Sequence, residues 1–141
     1  MLFERNKMIR FHHCDPAGIV FYPQYLILCN EIVEDWFEYG LGVGFGPLHT
    51  DLKRGVPMRR LEAEFTAPGR IGEELAFTLQ VLNIGRTSLQ IEIVARQGDT
   101  VCFTTRQVLV WADLDGPRAI EIDDEWRERF ARFMQPAQLR A

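Results

Sequence analysis

The chain has 141 residues, 47% hydrophobic and 26% charged, with a formal net charge of −4. That length fits one domain around one core, and the composition is that of an ordinary globular protein. The acidic balance gives no electrostatic reason to expect a nucleic-acid partner, while leaving room for a local basic patch that holds a phosphorylated small ligand.

The N-terminus, MLFERNKMIRF, carries Glu4, Arg5, Lys7 and Arg10 and lacks the apolar core of a signal peptide. No apolar run approaches the roughly 20 residues of a membrane span, so a soluble cytoplasmic protein without a membrane partner is expected. Cys14, Cys29 and Cys102 are odd in number and show no CxxC spacing, which argues against a disulfide framework and against a zinc knuckle. Residues 2–13 read as a first strand leading into the turn Asp15-Pro16-Ala17-Gly18. A long helix is predicted from near Tyr22-Pro23, since proline suits a first helical turn. Tyr25, Leu28, Cys29, Ile32, Val33 and Trp36 recur on its apolar stripe, with Glu31, Glu34, Asp35 and Glu38 largely opposite. Gly40 reads as its stop, GLGVGFGP (40–47) as a connecting loop and HTDLKRG (49–55) as a short helix.

From Met58 the pattern changes to period two. Leu61, Ala63 and Phe65 alternate with Arg60, Glu62 and Glu64, as in a half-buried strand. Further strands are predicted over 75–81, 89–94 and 101–111, separated by turns at 83–86 and 97–99. A short extended piece follows at 118–122. A final helix, capped by Asp123 or Asp124, is expected to run through Met134 and stop at Pro136. The fold class is therefore α+β: a single domain over residues 1–141, with an antiparallel sheet of about five strands around one long central helix. The sheet's edges need covering, which favours a homo-oligomer. Trp36, Trp111 and Trp126 read as packing residues.

Asp15 is the first candidate for chemistry. Asp-Pro commonly opens a turn whose carboxylate accepts backbone N–H groups. The functional reading needs a carboxylate beside an electrophilic carbonyl, and a helix N-terminus whose free N–H groups stabilise an oxyanion. Both parts lie within a few residues here. His12 and His13 flank the turn; period-two alternation allows only one of them to face a cleft, where it would pair with Asp15 or act as a base. Cys14 has no thiolate-activating neighbour beyond His13 and reads as a small buried residue.

The run Asp15, Pro16, Ala17, Gly18, Ile19, Val20, Phe21, Tyr22, Pro23, with Tyr25 beyond it, resembles the 4-hydroxybenzoyl-CoA thioesterase family of hotdog-fold enzymes. The resemblance implies that Asp15 attacks a thioester or activates water, that the Tyr22 N–H polarises its carbonyl, and that hotdog domains pair side by side with sites at the interface. Homodimer and homotetramer both stay open. In many relatives an acidic residue stands two before the aspartate, so His13 is a departure. Phe21 and Tyr25 would line the acyl site, and Asn30 stands where the 4-hydroxybenzoyl enzyme has an aspartate serving the para-hydroxyl. Arg86, Ser88 and Arg118 would hold coenzyme A, which enters as part of the substrate; no other cofactor and no metal is implied. Gly85 and Thr87 replace basic residues of the relatives, with Arg59 and Arg60 as substitutes. Hotdog hydratases place a histidine five residues after their aspartate; Val20 stands there in this chain. The expected activity is thus acyl-CoA thioester hydrolysis on an aryl or a short-chain acyl group, the alternative being a non-catalytic CoA-ligand binder or scaffold.

Overall fold

The computed structural model describes residues 1–135, and helix α1 (Tyr22–Asp35) lies at its centre. Tyr25, Leu28, Cys29, Ile32 and Val33 form the buried face of α1, the stripe its sequence predicts. The helix does not stop at Gly40. It widens into a π-helical turn over Trp36–Leu41, and Gly42, in the left-handed region at φ 88°, ends it. Gly40 is needed for packing instead. A Cβ there would lie 2.8 Å from Trp36 Cδ1 and 3.1 Å from Phe133 Cζ.

The helix packs on a five-stranded antiparallel sheet. Its strands, in spatial order, are β1 (Phe3–Met8), β4 (Glu74–Ile84), β5 (Ser88–Gln97), β6 (Thr100–Val110) and β3 (Met58–Phe65). Alternate residues of the central strands point at α1: Leu75, Phe77, Leu79 and Val81 from β4, Leu89, Ile91 and Ile93 from β5, Phe103 and Leu109 from β6. A small second sheet joins β2 (Arg54–Gly55), β7 (Ala112–Asp113) and β8 (Arg118–Ala119). Helix α3 (Asp124–Ala131) closes the far end of the core, capped by Asp123, whose Oδ1 accepts the Trp126 N–H at 2.9 Å. All three tryptophans are core residues there: Trp111 and Trp126 lie 4.9 Å apart, and Trp36 lies 5.7 Å from Phe130.

Several boundaries differ from the sequence reading. The first strand ends at Met8, and Phe11–His13 form a 3-10 turn. The reason is local: the His13 N–H donates to Arg10 O, and His13 Nδ1 accepts the Arg10 N–H, closing a loop that strand geometry would open. The short helix, α2, spans Phe45–Thr50 rather than 49–55, so only 42–44 of the glycine-rich stretch is a plain connector. Pro47 is tolerated because it sits in the first turn. Strand β3 is exposed along nearly all its length, not half-buried, because it forms the sheet's edge; Phe65 is 52% exposed. The extended piece after Pro117 is confined to Arg118–Ala119. Helix α3 ends at Ala131, and Pro136 lies outside the described residues.

Candidate active site

The turn that carries Asp15 is built as a miniature hairpin. Cys14 and Val20 form an antiparallel bridge, the Asp15 N–H donates to Ile19 O at 3.0 Å, and the Gly18 N–H donates to Asp15 O at 2.9 Å. Gly18 takes φ 77°, which a residue with a Cβ adopts only under strain. The hairpin is fastened to the segment before β4: Val20 N–H to Gly69 O at 2.9 Å, and Ile71 N–H to Gly18 O at 3.1 Å. Asp15 Oδ1 accepts the Ala17 N–H at 2.9 Å, the arrangement of an Asx turn. Oδ2 has no hydrogen-bond partner among the described residues. The bland and the functional readings of Asp15 are therefore compatible, since one oxygen shapes the turn and the other is available.

Helix α1 begins seven positions on. Phe21 is its N-cap, in extended conformation and without a side-chain cap, and Pro23 occupies the first turn. The Tyr22 N–H, at the first helical position, has no carbonyl of its own helix to donate to and lies at the positive end of the helix dipole. Tyr22 is exposed, with its ring edge-on to Phe65 at 6.1 Å, and Phe21 is exposed beside it. A cleft of about 310 Å³ opens here between Ile19, Tyr22, Tyr25, Phe65 and Pro68.

Tyr25 is a structural part of that cleft. It is buried, it stacks on Phe103 at 4.7 Å with the rings 6° from parallel, and its hydroxyl accepts the Gly69 N–H at 3.1 Å. Burial pushes its phenol up to about 12, so it stays protonated near neutrality. His13 is also buried, behind the turn rather than in it. Its Nδ1 accepts the Arg10 N–H at 2.8 Å, which places the hydrogen of the neutral ring on Nε2. Burial, with the neighbouring His12, pulls its pKa down. The exposed His12 ring lies 4.0 Å from it, and the 3-10 turn replaces the expected strand alternation of the pair. Cys14 is half-buried with Sγ 3.5 Å from Arg10 O; burial and the Asp15 charge raise its thiol pKa, which disfavours a thiolate nucleophile.

The other sequence-predicted residues lie elsewhere. Asn30 is exposed on α1, donates to Glu34 Oε2 at 3.0 Å, and lies about 12 Å along the helix axis from Tyr22. It borders a second cavity, of about 430 Å³, lined by α1, α2, β2, β3 and β6 together with Leu114 and Pro117. Arg86, Ser88 and Arg118 share the opposite end of the molecule. The Gly85 N–H donates to Ser88 O at 2.7 Å and the Ile122 N–H to Arg86 O at 2.9 Å, while Arg118 pairs with Asp113 at 3.7 Å. The eleven residues of β4 separate that end from the Asp15 turn, a span of roughly 35 Å. Arg59 and Arg60 are exposed on β3, and Arg60 already holds Glu62 at 2.6 Å.

Two residues missed in the sequence, Gln107 and His49, line the 430 Å³ cavity with Asn30. A signal for Gln107 was present: it stands in the inward phase of β6, between Thr105 and Leu109. Among the described residues no three His, Cys, Asp or Glu side chains gather as metal ligands, and no helix is long and apolar enough to cross a membrane.

One long helix packed on a five-stranded antiparallel sheet defines a class, and comparison with known proteins agrees. The Thioesterase-like superfamily matches residues 9–130. The chain belongs to that superfamily and is a thioester hydrolase with the hotdog fold. It is similar to the 1,4-dihydroxy-2-naphthoyl-CoA hydrolase of Nostoc punctiforme, at 24% identity over 145 residues, covering 99% of this chain and 96% of that one. Among solved structures it resembles a thioesterase superfamily protein from Jannaschia sp., with TM-score 0.87 and 22% identity over 94% of this chain and 93% of the other. It also resembles a mutant 4-hydroxybenzoyl CoA thioesterase complexed with 4-hydroxybenzoyl CoA, with TM-score 0.83 and 22% identity over 92% and 98% of the two chains.

Proposed function

We propose that the protein is an aryl-CoA thioesterase, active as a homodimer or a dimer of dimers, with Asp15 as its catalytic carboxylate. What supports the reading is that Asp15 Oδ2 is left without a partner seven positions before the unused N–H of Tyr22 at the start of α1. The thioester oxygen would accept from Tyr22 N–H, so that charge developing on it meets a fixed donor and the helix dipole. Asp15 then takes a proton from water as the water oxygen adds to the carbonyl carbon. Collapse of the adduct breaks the C–S bond, and CoA leaves as a thiolate that is protonated to the thiol. In the alternative route Asp15 adds directly, CoA thiolate leaves from the resulting adduct, and water hydrolyses the acyl–aspartyl anhydride. Neither route calls on a metal or a second cofactor, and CoA enters with the substrate.

An aryl acyl group is favoured over a short aliphatic one by the aromatic lining of the cleft, Tyr22, Tyr25 and Phe65, and by the aryl-CoA substrates that the similar proteins are named for. Dimerisation is favoured by the separation of parts within one chain. Arg86 and Arg118 are too far from Asp15 to serve the same thioester group directly. The exposed edge of β3 runs from Met58, beside the cavity, to Phe65, beside the cleft. Two β3 edges related by a two-fold axis lie antiparallel, so each Tyr22 cleft would meet the other chain's cavity and arginine end.

The test is thiol release from hydroxybenzoyl-, naphthoyl- and short-chain acyl-CoAs, comparing wild type with Asp15→Asn. Asparagine keeps an oxygen for the Ala17 N–H and removes the charge, so the turn persists. Turnover should fall at least about a hundredfold. A mutant as active as wild type would refute the catalytic assignment, and a wild type that binds CoA esters without turnover would favour a binding protein.

A further inference from the structure

We propose that Tyr25 is a positioning residue, whose hydroxyl, acting through Gly69, fixes the angle between the Asp15 hairpin and the first turn of α1. Its effect on turnover rests on the thioesterase reading; the brace itself does not.

Two arms of the chain meet at Phe21. On one side stands the hairpin that carries Asp15, closed by the Phe21 N–H donating to His13 O at 2.9 Å. On the other side α1 begins, with the Tyr22 N–H at its first position. The joint between them is bare. Phe21 is extended, at φ −71° and ψ 124°, and no side chain caps the helix there. Backbone dihedrals are the soft coordinates of a chain, and rotation at this joint would swing Asp15 relative to the Tyr22 N–H. A carboxylate and an oxyanion donor that serve one carbonyl must each be held to within about 0.5 Å of their working places.

Gly69 touches both arms. Its carbonyl accepts the Val20 N–H at 2.9 Å on the hairpin side, and its N–H donates to the Tyr25 hydroxyl at 3.1 Å on the helix side. One residue therefore ties hairpin to helix across the joint. Neither end of the tie is loose. The segment after Gly69 is anchored to the chain beside β1, where the Gly72 N–H donates to Ile9 O at 2.7 Å. Tyr25 is 3% exposed, and its stacking on the fully buried Phe103 fixes where its hydroxyl lies. The approach is close enough to demand glycine. A Cβ on Gly69 would lie 2.6 Å from the Tyr25 hydroxyl and 3.2 Å from Val20 Cγ2. Since a buried N–H nearly always keeps a partner, removing the hydroxyl forces Gly69 to shift, and Val20 and the Asp15 hairpin shift with it.

The test is Tyr25→Phe, which keeps the ring against Phe103 and removes only the hydroxyl. On an acyl-CoA that wild type hydrolyses, kcat should fall at least about tenfold while KM changes less than about threefold, because the carboxylate is displaced and the aromatic wall is kept. In an Asp15→Asn background the same change should lower turnover less than about twofold, since no carboxylate is left to misplace. A merely structural residue would lower both backgrounds by the same factor. Amide hydrogen exchange reads the brace directly and needs no turnover. In Tyr25→Phe, exchange at Val20 and Ile71 should quicken more than at Ile91 and Ile93 of β5, whose rates follow overall stability. If wild type hydrolyses no thioester, the hydrolase reading fails alone, and this comparison still decides the brace. Should Tyr25→Phe fail to fold, wild type decides: the Gly69 and Val20 amides should open together, with protection equal to within about threefold. Unchanged kcat in the variant, unchanged exchange at Val20, or Gly69 and Val20 amides that open independently overturns the assignment. Lost kcat with unchanged exchange overturns it too, in favour of direct contact between the Tyr25 hydroxyl and the ester.

Discussion

Behind the Asp15 turn, His13 is used as a neutral acceptor. It is buried, its Nδ1 holds the Arg10 N–H, and burial lowers its pKa. The sign of the resulting pH dependence follows from linkage. In the unfolded chain the ring takes up a proton below its ordinary value of about 6.5. In the folded chain it resists until lower pH, so the unfolded state binds more protons in that window. The stability that the neutral ring contributes is fully present above about pH 6.5 and is lost as pH falls through the folded value. His13→Asn supplies an oxygen for the Arg10 N–H that does not titrate. Chemical denaturation at pH 7.5 and pH 5 should show a smaller loss of stability for the variant than for wild type. Gln107 carries the opposite sign of cost. An enclosed acceptor without a donor weakens the fold, so Gln107→Met should leave the melting temperature unchanged or raise it in thermal denaturation.

At the scale of elements, the π-helical turn at the end of α1 is the feature that sequence rules misplace. Gly40 looks like a terminator because glycine so often is one. Its task here is to let Trp36, Phe133 and Phe3 crowd against the backbone. Gly40→Ala gains about 1 kcal/mol of helix propensity, but its methyl enters the contact with Trp36 Cδ1 at 2.8 Å, and Trp36 is fully buried. Overpacking of this kind costs about 1–3 kcal/mol, so the contact wins and the melting temperature should drop by a few degrees. What was legible in the chain was whatever repeats, the apolar stripe of α1 and the alternation of β4 to β6, while the final helix's cap was narrowed to Asp123 or Asp124. The dense motif from Asp15 to Tyr25 made the candidate site legible too. What was not legible depended on single tertiary contacts, such as the His13–Arg10 bond that ends the first strand, or the edge position that exposes β3. The cavity at Gln107 fell between these cases, since its polar residue sits in phase on a readable strand but its walls come from five elements spread along the sequence.

For the molecule as a whole, β3 sets the expected assembly. As the sheet's edge it exposes Met58, Leu61 and Phe65 together with open backbone groups, a surface that isolated proteins seldom tolerate. Light scattering on the purified protein should give a dimer or tetramer mass, and a fully active monomer would rule out a site completed by a second copy. The strand order has a further consequence, for the order in which the chain is made. No strand of the first half pairs with another strand of that half: β1 joins β4, β2 joins β7 and β3 joins β6. A ribosome adding about 5–20 residues per second therefore releases β1, α1 and β3 well before β6, which holds the edge strand, exists. For those seconds the apolar face of α1 has no sheet to lie on. The sheet is assembled by the later meander of β4, β5 and β6, which recruits the waiting strands to its two sides, so the newborn chain is most open to capture or aggregation just before its last third emerges.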